Sequence, residues 1–343
     1  MKSNPSPSLR RALHCALLFG LLPAAGRLSA APSEDVFFGR WALTIPNGRA
    51  GWLEIKPEKN WYEGSILWGG GSVLPLASVV IADGTLTVTR ITEVERKTGA
   101  VARTQQLTET ITAQADGDVL KLVRVAPRAD GRGFERAGFT GRRLPALPPR
   151  PDLAKVRFGG PVALLNGQDL AGWRLVDPQM ANGWRMESGI LANDPVQVEG
   201  QPRKRYGNLR TEREFEDFNL QLEVRVPRKS NSGVYLRGLY EVQVFDSFGK
   251  PLDSHNMGAI YSRITPSSSA EKPAGEWQTY DITLCDRHIT VILNGKTIID
   301  NQPVLGCTGG ALTSDEFKPG PLYLQGDHTA VSYRNIVLKP IVK

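Results

Sequence analysis

The segment Ser232–Asp246 reads SGVYLRGLYEVQVFD and consists of two strand-like runs that meet near Gly238. Side chains alternate between the two faces of a strand, so the register of this hairpin decides which residues share a face. A two-residue loop, Gly238-Leu239, would mix valines with charged residues on both faces. A three-residue loop, 238–240, separates an apolar face from a polar one, as a sheet with one buried face requires. We therefore predict the three-residue loop.

The predicted register places Arg237 opposite Glu241 and Tyr235 opposite Gln243 on the polar face. An aromatic ring, a guanidinium, a carboxylate and an amide in one patch would suit a sugar, which stacks on a flat ring and forms hydrogen bonds through its hydroxyls. The alternative is a solvated outer face with a cross-strand Arg–Glu pair, which stabilises by only a fraction of a kcal/mol. These residues alone leave both interpretations open. The apolar face comprises Val234, Leu236, Val242 and Val244.

The length of 343 residues suggests two domains, and the 41% hydrophobic and 22% charged content is typical of a soluble globular protein. Residues 1–31 have the pattern of a secretory signal peptide, with a basic start, an apolar run over 12–25 and small residues at 29–31. We therefore predict export to the periplasm or the extracellular space. Cys15 lies inside the apolar run, so no membrane anchor is expected after the signal is removed.

The whole chain has 42 basic and 35 acidic residues, a formal net charge of +7. Residues 1–31 contain four bases and no acid, so 42 minus 4 leaves 38 bases and a net charge of +3 for the rest of the chain. No basic stripe with interleaved aromatic residues is present, so a nucleic-acid partner is not predicted. Cys285 and Cys307 could form a disulfide in an exported protein or remain two separate buried thiols, and the sequence leaves both possibilities open.

Residues 35–143 form a first unit of short strand-like runs separated by turns such as Asp83-Gly84 and Asp116-Gly117. This spacing predicts a small antiparallel barrel or sandwich. We find no catalytic constellation in it and expect a binding or packing module. The Pro-rich segment 144–156 follows and is expected to act as a semi-rigid spacer between two domains.

Residues 157–343 form a second unit with many strand candidates and no long run of helical periodicity. One candidate, 288–300, is a hairpin in which Asn294-Gly295 predicts a type I′ turn. Many antiparallel strands over this length indicate a two-sheet jelly-roll sandwich. The whole chain is therefore predicted to be all-β, with a small barrel or sandwich followed by a jelly roll.

The second unit contains seven further motifs, namely LLNGQDLAGW (164–173), NSGVYLRG (231–238), YEVQVFD (240–246), GAIY (258–261), KPAGEWQTYDI (272–282), ILNG (292–295), and LYLQGDH with YRNI (322–336). Together and in this order, they resemble the 3-keto-disaccharide hydrolase domain family, long described as a domain of unknown function. That resemblance implies a concanavalin-A-like jelly roll. The last family motif usually reads LQDHG, whereas this chain continues from Gln325 with Gly-Asp-His-Thr and so keeps His328 but not the glycine after it.

The resemblance implies a carbohydrate substrate whose C3 hydroxyl has been oxidised to a ketone. The ketone acidifies the proton on C2, so a base can remove that proton and the C1 substituent can leave by elimination, after which water adds back. Such a site needs a base, donors for the enolate oxygen and an acid for the leaving oxygen. It does not need the paired carboxylates of ordinary glycosidases.

The resemblance and the polar face of the hairpin together assign residues to these roles. We expect Glu241 to be the base, Arg237 to orient it or stabilise the enolate, and His328 to be a general acid or base. Asp246 could instead cap a turn. The residues expected to bind substrate are Tyr235, Gln243, Asp246, His255, Tyr261 and Gln325.

No metal or other cofactor is required by the sequence, although Glu241, Asp246, His255 and His328 could ligate a divalent cation that stabilises an enolate. The rival hypothesis is a non-catalytic carbohydrate-binding module, which needs aromatic rings and amides but no buried acid or base. The two hypotheses differ in whether Glu241, Arg237 and His328 line one concave cleft with a perturbed pKa.

Overall fold

The computed structural model describes residues 33–98 and 101–342, and regular structure in these ranges is almost entirely β. The exceptions are two short 3-10 helices, η1 (Glu34–Phe37) and η2 (Leu153–Lys155). The predicted signal segment, residues 1–31, lies outside the described residues. No helix in the described part of the chain is long and apolar enough to cross a membrane.

The first unit is one antiparallel sheet of nine strands. Its spatial order is β4-β3-β2-β1-β9-β8-β7-β6-β5, so chain neighbours are paired except where β1 meets β9. The strands are β1 (Gly39–Thr44), β2 (Ala50–Pro57), β3 (Tyr62–Trp68), β4 (Leu74–Pro75), β5 (Ser78–Ala82), β6 (Thr85–Thr98), β7 (Val101–Asp116), β8 (Val119–Pro127) and β9 (Phe134–Arg143).

This sheet curls into a partly closed barrel around its own apolar core, because β5 contacts β3 across the opening. Trp41 is fully buried in that core, and its indole Nε1 donates to Phe37 O at 3.0 Å. The Arg143 guanidinium lies 4.1 Å from the centre of the Trp41 ring and covers it. The predicted small antiparallel barrel is therefore confirmed.

The second unit is a sandwich of two antiparallel sheets. One sheet has the order β13-β14-β23-β16-β19-β20-β21, with β10 and β11 also paired to β23, and the other has the order β12-β15-β22-β17-β18. The strands are β10 (Arg157–Phe158), β11 (Val162–Ala163), β12 (Trp173–Leu175), β13 (Trp184–Glu187), β14 (Ile190–Asn193), β15 (Leu209–Phe215), β16 (Phe218–Arg225), β17 (Asn231–Leu236), β18 (Tyr240–Phe245), β19 (Gln278–Cys285), β20 (His288–Leu293), β21 (Lys296–Pro303), β22 (Gly320–Leu324) and β23 (Val331–Val342).

The two sheets enclose a core to which each contributes one apolar face. Leu220 and Leu222 of β16 belong to the same buried cluster as Val234 and Val242 of the facing sheet. This arrangement confirms the predicted jelly-roll sandwich. In the β20–β21 hairpin, Asn294 and Gly295 have φ values of 51° and 80°, as a type I′ turn requires.

The register of the β17–β18 hairpin differs from the prediction. Tyr235 pairs with Glu241 and Leu236 with Tyr240, so the loop has three residues but consists of 237–239. The predicted pairing of Arg237 with Glu241 is therefore wrong. A shift by two positions leaves the alternation unchanged, so the apolar and polar faces are otherwise the predicted ones.

Arg237 lies in the turn because tertiary contacts hold it there. Its backbone adopts φ +56°, and the Leu239 N–H closes the turn by donating to Leu236 O at 3.0 Å. The guanidinium is buried and donates to the backbone oxygens of Glu316 and Lys318. These bonds point Arg237 away from the polar face of the hairpin.

The two cysteines of the second unit are not joined by a disulfide. Both are buried, and the Cys307 thiol is directed at Gly51 O of the first unit at 3.9 Å. Of the two alternatives left open by the sequence, the structure therefore contains the two separate buried thiols.

The two units share part of their hydrophobic core. Trp52 and Leu67 of the first unit belong to the main buried cluster of the sandwich. The Arg263 guanidinium of the second unit stacks 4.3 Å from the Trp52 ring, and Ser314 Oγ donates to Leu43 O at 2.8 Å. Apolar burial and hydrogen bonds of this kind join the two units.

The Pro-rich segment 144–156 lies along the second unit and does not hold the units apart. Arg287 donates to Ala146 O at 2.6 Å, and Asn301 Nδ2 donates to Pro151 O at 2.8 Å. Proline removes backbone donors but leaves the carbonyl oxygens free to accept, which is how this segment is bound.

A charge on the apolar face of the hairpin should abolish folding of the second unit. Val242 is completely buried, so Val242→Asp should cost more than about 4 kcal/mol of unfolding free energy. Val80→Asp is the matched control because Val80 is a strand valine that is 51% exposed. Thermal unfolding followed by circular dichroism would measure both. A wild-type Tm for Val242→Asp would contradict the burial of Val242 on the core face.

Candidate active site

A cavity of about 360 Å³ lies on the face of β17, β18 and β22 that points away from the sandwich core. Loops of the second unit and two loops of the first unit complete its walls. The lining residues are Arg49, Gly70, Gly71, Asn208, Asn231, Tyr235, Glu241, Gln243, Tyr261, Gly309, Gly310, Tyr323, Gln325, Asp327 and His328.

Glu241 lines this cavity from β18 and is only 3% exposed. Its backbone is fixed on both sides, since its N–H donates to Thr308 Oγ1 at 2.9 Å and its carbonyl accepts from Tyr261 N at 3.0 Å. Gly233 on the neighbouring strand makes room for the side chain, because a Cβ at that position would clash with Glu241 Oε1. The sheet thus holds this carboxyl in one place.

The environment of Glu241 makes it a weak acid. Burial raises its pKa from 4.5 to about 8, the nearby Tyr235 hydroxyl lowers the pKa in part, and the negative charge of Asp327 raises it further. No cation is among the causes of the shift. A carboxyl with a pKa this close to neutrality can take up and release a proton under physiological conditions.

Two stacked tyrosines form the part of the wall next to Glu241. The rings of Tyr235 and Tyr323 lie 4.2 Å apart and are inclined by 18°. The Tyr235 hydroxyl donates to Gly309 O at 2.7 Å, and the Tyr323 hydroxyl accepts from Asn208 Nδ2 at 2.9 Å. Burial raises the pKa of Tyr235 well above 10, so this hydroxyl stays neutral and keeps its proton.

His328 lies at the rim of the cavity beside Asp327, and its side chain is 45% exposed. Its Nδ1 is 2.7 Å from Asp327 Oδ1, and this hydrogen bond raises the pKa of the imidazole above 6.5 although burial lowers it in part. Asn208 Oδ1 holds the loop by accepting from the backbone N–H groups of Gly326 and Asp327, at 2.7 and 3.2 Å.

Thr329, which stands where the family motif has glycine, fixes the loop that contains His328. Thr329 Oγ1 accepts from Asn231 N at 2.7 Å and donates to Asn231 O at 2.9 Å. The threonine hydroxyl therefore ties the His328 loop to the start of β17.

Two side-chain oxygens of the lining residues are buried without a hydrogen-bond donor. They are Gln325 Oε1 and Asn231 Oδ1. An unsatisfied buried acceptor costs about 1–3 kcal/mol, so a ligand that supplies O–H donors would recover that free energy. Sugar hydroxyls are donors of this kind.

Most of the other predicted site residues also line the cavity, but three do not. Gln243 and Tyr261 line it together with Tyr235 and Gln325, as expected from the sequence. Arg237 lies outside it for the reason given above. The other two residues, Asp246 and His255, make contacts elsewhere, which are described next.

Asp246 and His255 have structural partners. Asp246 Oδ2 accepts a hydrogen bond from Lys229 N at 2.7 Å, as expected for the alternative role of a turn cap. Asp246 lines a groove that is separate from the cavity. His255 Nε2 is 2.8 Å from Ser72 Oγ of the first unit, and its ring lies edge-on to Tyr261. His255 therefore connects the two units behind the cavity wall.

The residues that the sequence offered as metal ligands are not brought together. Of Glu241, Asp246, His255 and His328, only Glu241 and His328 line the cavity. Within residues 33–98 and 101–342, one group has side-chain atoms close enough to hold a metal ion, and it lies outside the cavity. That group is Asp217, Cys285 and Asp286.

Sequence reasoning missed several lining residues. Asp327 adjoins His328 in the chain and could have been found as the usual carboxylate partner of a histidine. Asn208, Arg49 and the backbone of Gly70-Gly71 carry no local signal, because they reach the cavity from distant loops.

Comparison with known protein families agrees with this geometry. Residues 160–339 match the model of the 3-keto-alpha-glucoside-1,2-lyase-like domain, which spans more than half of the chain. The chain belongs to this family. Membership makes it a relative of carbohydrate-active, hydrolase-like proteins and agrees with the resemblance drawn from the sequence motifs. The comparison with curated proteins gave no significant match.

Several solved structures are similar to the chain. Two candidate glycosyl hydrolases from Parabacteroides distasonis share 28% and 19% sequence identity with it, with TM-scores of 0.43 and 0.45. The first match covers 57% of this chain and 92% of the other, and the second covers 53% and 95%. A carbohydrate-binding module from Bacillus subtilis is 12% identical with a TM-score of 0.28, and the match covers 48% of this chain and 93% of the module.

The raised pKa of Glu241 predicts a pH-dependent gain in stability for Glu241→Gln. The folded state keeps the carboxyl protonated up to about pH 8, whereas the unfolded chain releases the proton near pH 4.5. Wild-type stability therefore falls as pH rises through this window, and glutamine cannot contribute such a loss. The difference in Tm between the variant and wild type should therefore increase with pH by several degrees. The conversion is about 2–4 °C of Tm per kcal/mol of unfolding free energy.

Calorimetric unfolding of both proteins at a series of pH values would measure this difference. Glu212→Gln is the control, because Glu212 is exposed and does not line the cavity. A constant difference for Glu241→Gln over the same window would show that its carboxyl is ionised in the folded protein.

Proposed function

We propose that this protein cleaves glycosides that carry a ketone at C3, by removing the C2 proton and eliminating the C1 substituent. The observation that carries the proposal is the buried Glu241 carboxyl, with a pKa of about 8, in a cavity lined by hydroxyl, amide and aromatic groups. Membership in the 3-keto-alpha-glucoside-1,2-lyase-like family supports the choice of substrate class.

The reaction needs one base and one acid. The base accepts the C2 proton, and the electron pair of the C–H bond moves into an enolate whose negative charge rests on the C3 oxygen. The pair then forms the C1–C2 double bond as the C1–O bond breaks, and the acid protonates the leaving oxygen. Addition of water to the unsaturated product completes a net hydrolysis.

Glu241 fits the role of the base. A carboxylate that is buried without a cationic partner is a far stronger base than one in water, because burial disfavours its charge. With a pKa of about 8, roughly a tenth of the molecules carry the ionised form at neutral pH. The fixed backbone of β18 orients the carboxyl toward the bound ligand.

His328 fits the role of the acid. Its hydrogen bond to Asp327 raises its pKa, so a larger fraction of the imidazole is protonated near neutrality. Its position at the rim, with a half-exposed side chain, suits the end of the substrate that departs. Gln325 and Asn231 would accept hydrogen bonds from sugar hydroxyls and hold the ring between Glu241 and His328.

The lining residues fit ordinary glycoside hydrolysis less well. That chemistry uses two carboxyl groups that flank the scissile bond. The described lining residues contain two, Glu241 and Asp327, and Asp327 is bound to His328. One buried carboxyl and one carboxylate–histidine pair match elimination more closely. The signal-like segment 1–31 supports the further proposal that the enzyme acts outside the cytoplasm.

The decisive experiment incubates the purified protein with a 3-keto-glucoside and, as control, with the unoxidised glucoside. Release of aglycone should occur from the keto sugar only. Glu241→Gln should lower kcat by about 100- to 10,000-fold, as expected for loss of a general base, with substrate affinity largely kept. Parallel assays with EDTA test whether a metal takes part.

Other outcomes would contradict the proposal in distinct ways. Equal release from both sugars would indicate ordinary hydrolysis, and unchanged turnover by Glu241→Gln would remove Glu241 from the chemistry. Saturable binding of either sugar without any release would favour the carbohydrate-binding module.

The pH dependence of the reaction should report the ionisation of Glu241. For a keto-glucoside whose leaving group is a nitrophenolate, which departs without protonation by His328, only the base must be in the correct form, so kcat/KM should rise with pH and level off above an apparent pKa of about 8. Initial rates at low substrate concentration over a pH series would measure this limb. A rate that falls through the same pKa would instead identify Glu241 as the acid.

A further inference from the structure

One wall of the cavity is built by the first unit. Arg49, which lies in the loop between β1 and β2, lines the cavity together with Gly70 and Gly71 from the loop between β3 and β4. The family match begins at residue 160, so these residues lie outside it. The cavity is therefore incomplete in the jelly roll alone.

The loop that contains Gly70 and Gly71 is attached to the second unit by four contacts. Gly310 N donates to Gly69 O at 3.0 Å, and a Cβ on Gly309 would clash with the Gly71 backbone. The other two contacts join side chains to this loop. They are Ser72 Oγ with His255 Nε2 at 2.8 Å, and Val73 N with Ser262 Oγ at 2.9 Å.

Arg49 extends over this attached loop. A Cβ added at Gly69 would lie 3.1 Å from Arg49 Cζ, and one at Gly70 would lie 3.2 Å from Arg49 Nη2, so the glycines leave the space that the guanidinium fills. Among the described residues, the guanidinium has no hydrogen-bond or ion-pair partner. Of the described residues that line the cavity, Arg49 is the one arginine or lysine.

The proposed reaction creates a negative charge that needs such a group. When the C2 proton leaves, charge develops on the C3 oxygen, and a guanidinium is a strong charged donor to an oxyanion. Arg237, which the sequence suggested for this task, is bonded to the backbone oxygens of Glu316 and Lys318. His328 is bonded to Asp327 and is assigned to the leaving oxygen.

We propose that Arg49 is a catalytic residue supplied by the first unit, and that its guanidinium donates to the C3 oxygen of the substrate as the enolate forms. This role rests on the proposed function and makes the small barrel part of the active site. The barrel is then required for turnover, because it supplies the group that stabilises the enolate.

Substitution of Arg49 in the full-length protein tests this role. Arg49→Ala should lower kcat for a 3-keto-glucoside by about 100- to 1,000-fold, as expected for loss of one oxyanion donor. Arg49→Lys should retain part of the activity because it keeps the charge. Arg132→Ala is the matched control, since Arg132 is exposed in the loop between β8 and β9 and does not line the cavity.

Two further measurements separate catalysis from structure. Free guanidinium ion added to Arg49→Ala should restore part of kcat, and it should not affect the control. Binding of the keto-glucoside, measured by calorimetry in the inactive Glu241→Gln background, should change less than tenfold when Arg49→Ala is added. A Tm equal to that of wild type would confirm that the fold is intact.

The outcomes distinguish this inference from the proposed function. Wild-type turnover by Arg49→Ala, in a protein whose turnover depends on Glu241, would overturn the inference alone. A loss that appears entirely in binding, without rescue by guanidinium, would also overturn it and make Arg49 a binding residue. No turnover by the wild-type protein would overturn the proposed function and the enolate role of Arg49 together.

Discussion

The rest of the site depends on one constraint, the burial of a carboxyl on the polar face of the central hairpin. Both faces of this hairpin are covered, one by the sandwich core and the other by the loops around the cavity. Moving a carboxylate out of water is costly, so Glu241 responds by holding its proton more tightly. Gly233, Thr308 and Tyr261 fix where that carboxyl lies, and the remaining lining groups are arranged around it.

Strand alternation was sufficient to predict which hairpin residues face the core and which face the cavity. It could not fix the register, because two registers that differ by two residues put the same side chains on the same faces. The contacts that place Arg237 in the loop come from Glu316 and Lys318, about 80 positions further along the chain. A local pattern contains no information about such partners, so the prediction for Arg237 was wrong although the faces were right.

The difference between local pattern and distant contacts also separates the site residues that were predicted from those that were missed. Tyr235, Glu241 and Gln243 lie on neighbouring strands, and His328 lies in a family motif, so alternation and resemblance could find them. Asp246 and His255 adjoin the hairpin in sequence, but chain proximity does not decide which way a loop residue points. Arg49 and Asn208 reach the cavity only because the chain folds back on itself.

In the proposed mechanism the base, Glu241, and the oxyanion donor, Arg49, come from different units, which lets both occupy one cavity. A guanidinium paired with Glu241 on the same sheet would favour the ionised carboxylate and lower its pKa, which would weaken it as a base. No cation contributes to the pKa of Glu241 in this structure. Arg49 lies on a separate wall, over the Gly69–Gly71 loop that contacts the second unit. From there the guanidinium can interact with negative charge that develops on a bound ligand, while the Glu241 carboxyl stays unpaired before the ligand binds. The hairpin alone could not combine an unpaired carboxyl with a nearby cation, and the attached barrel makes that combination available.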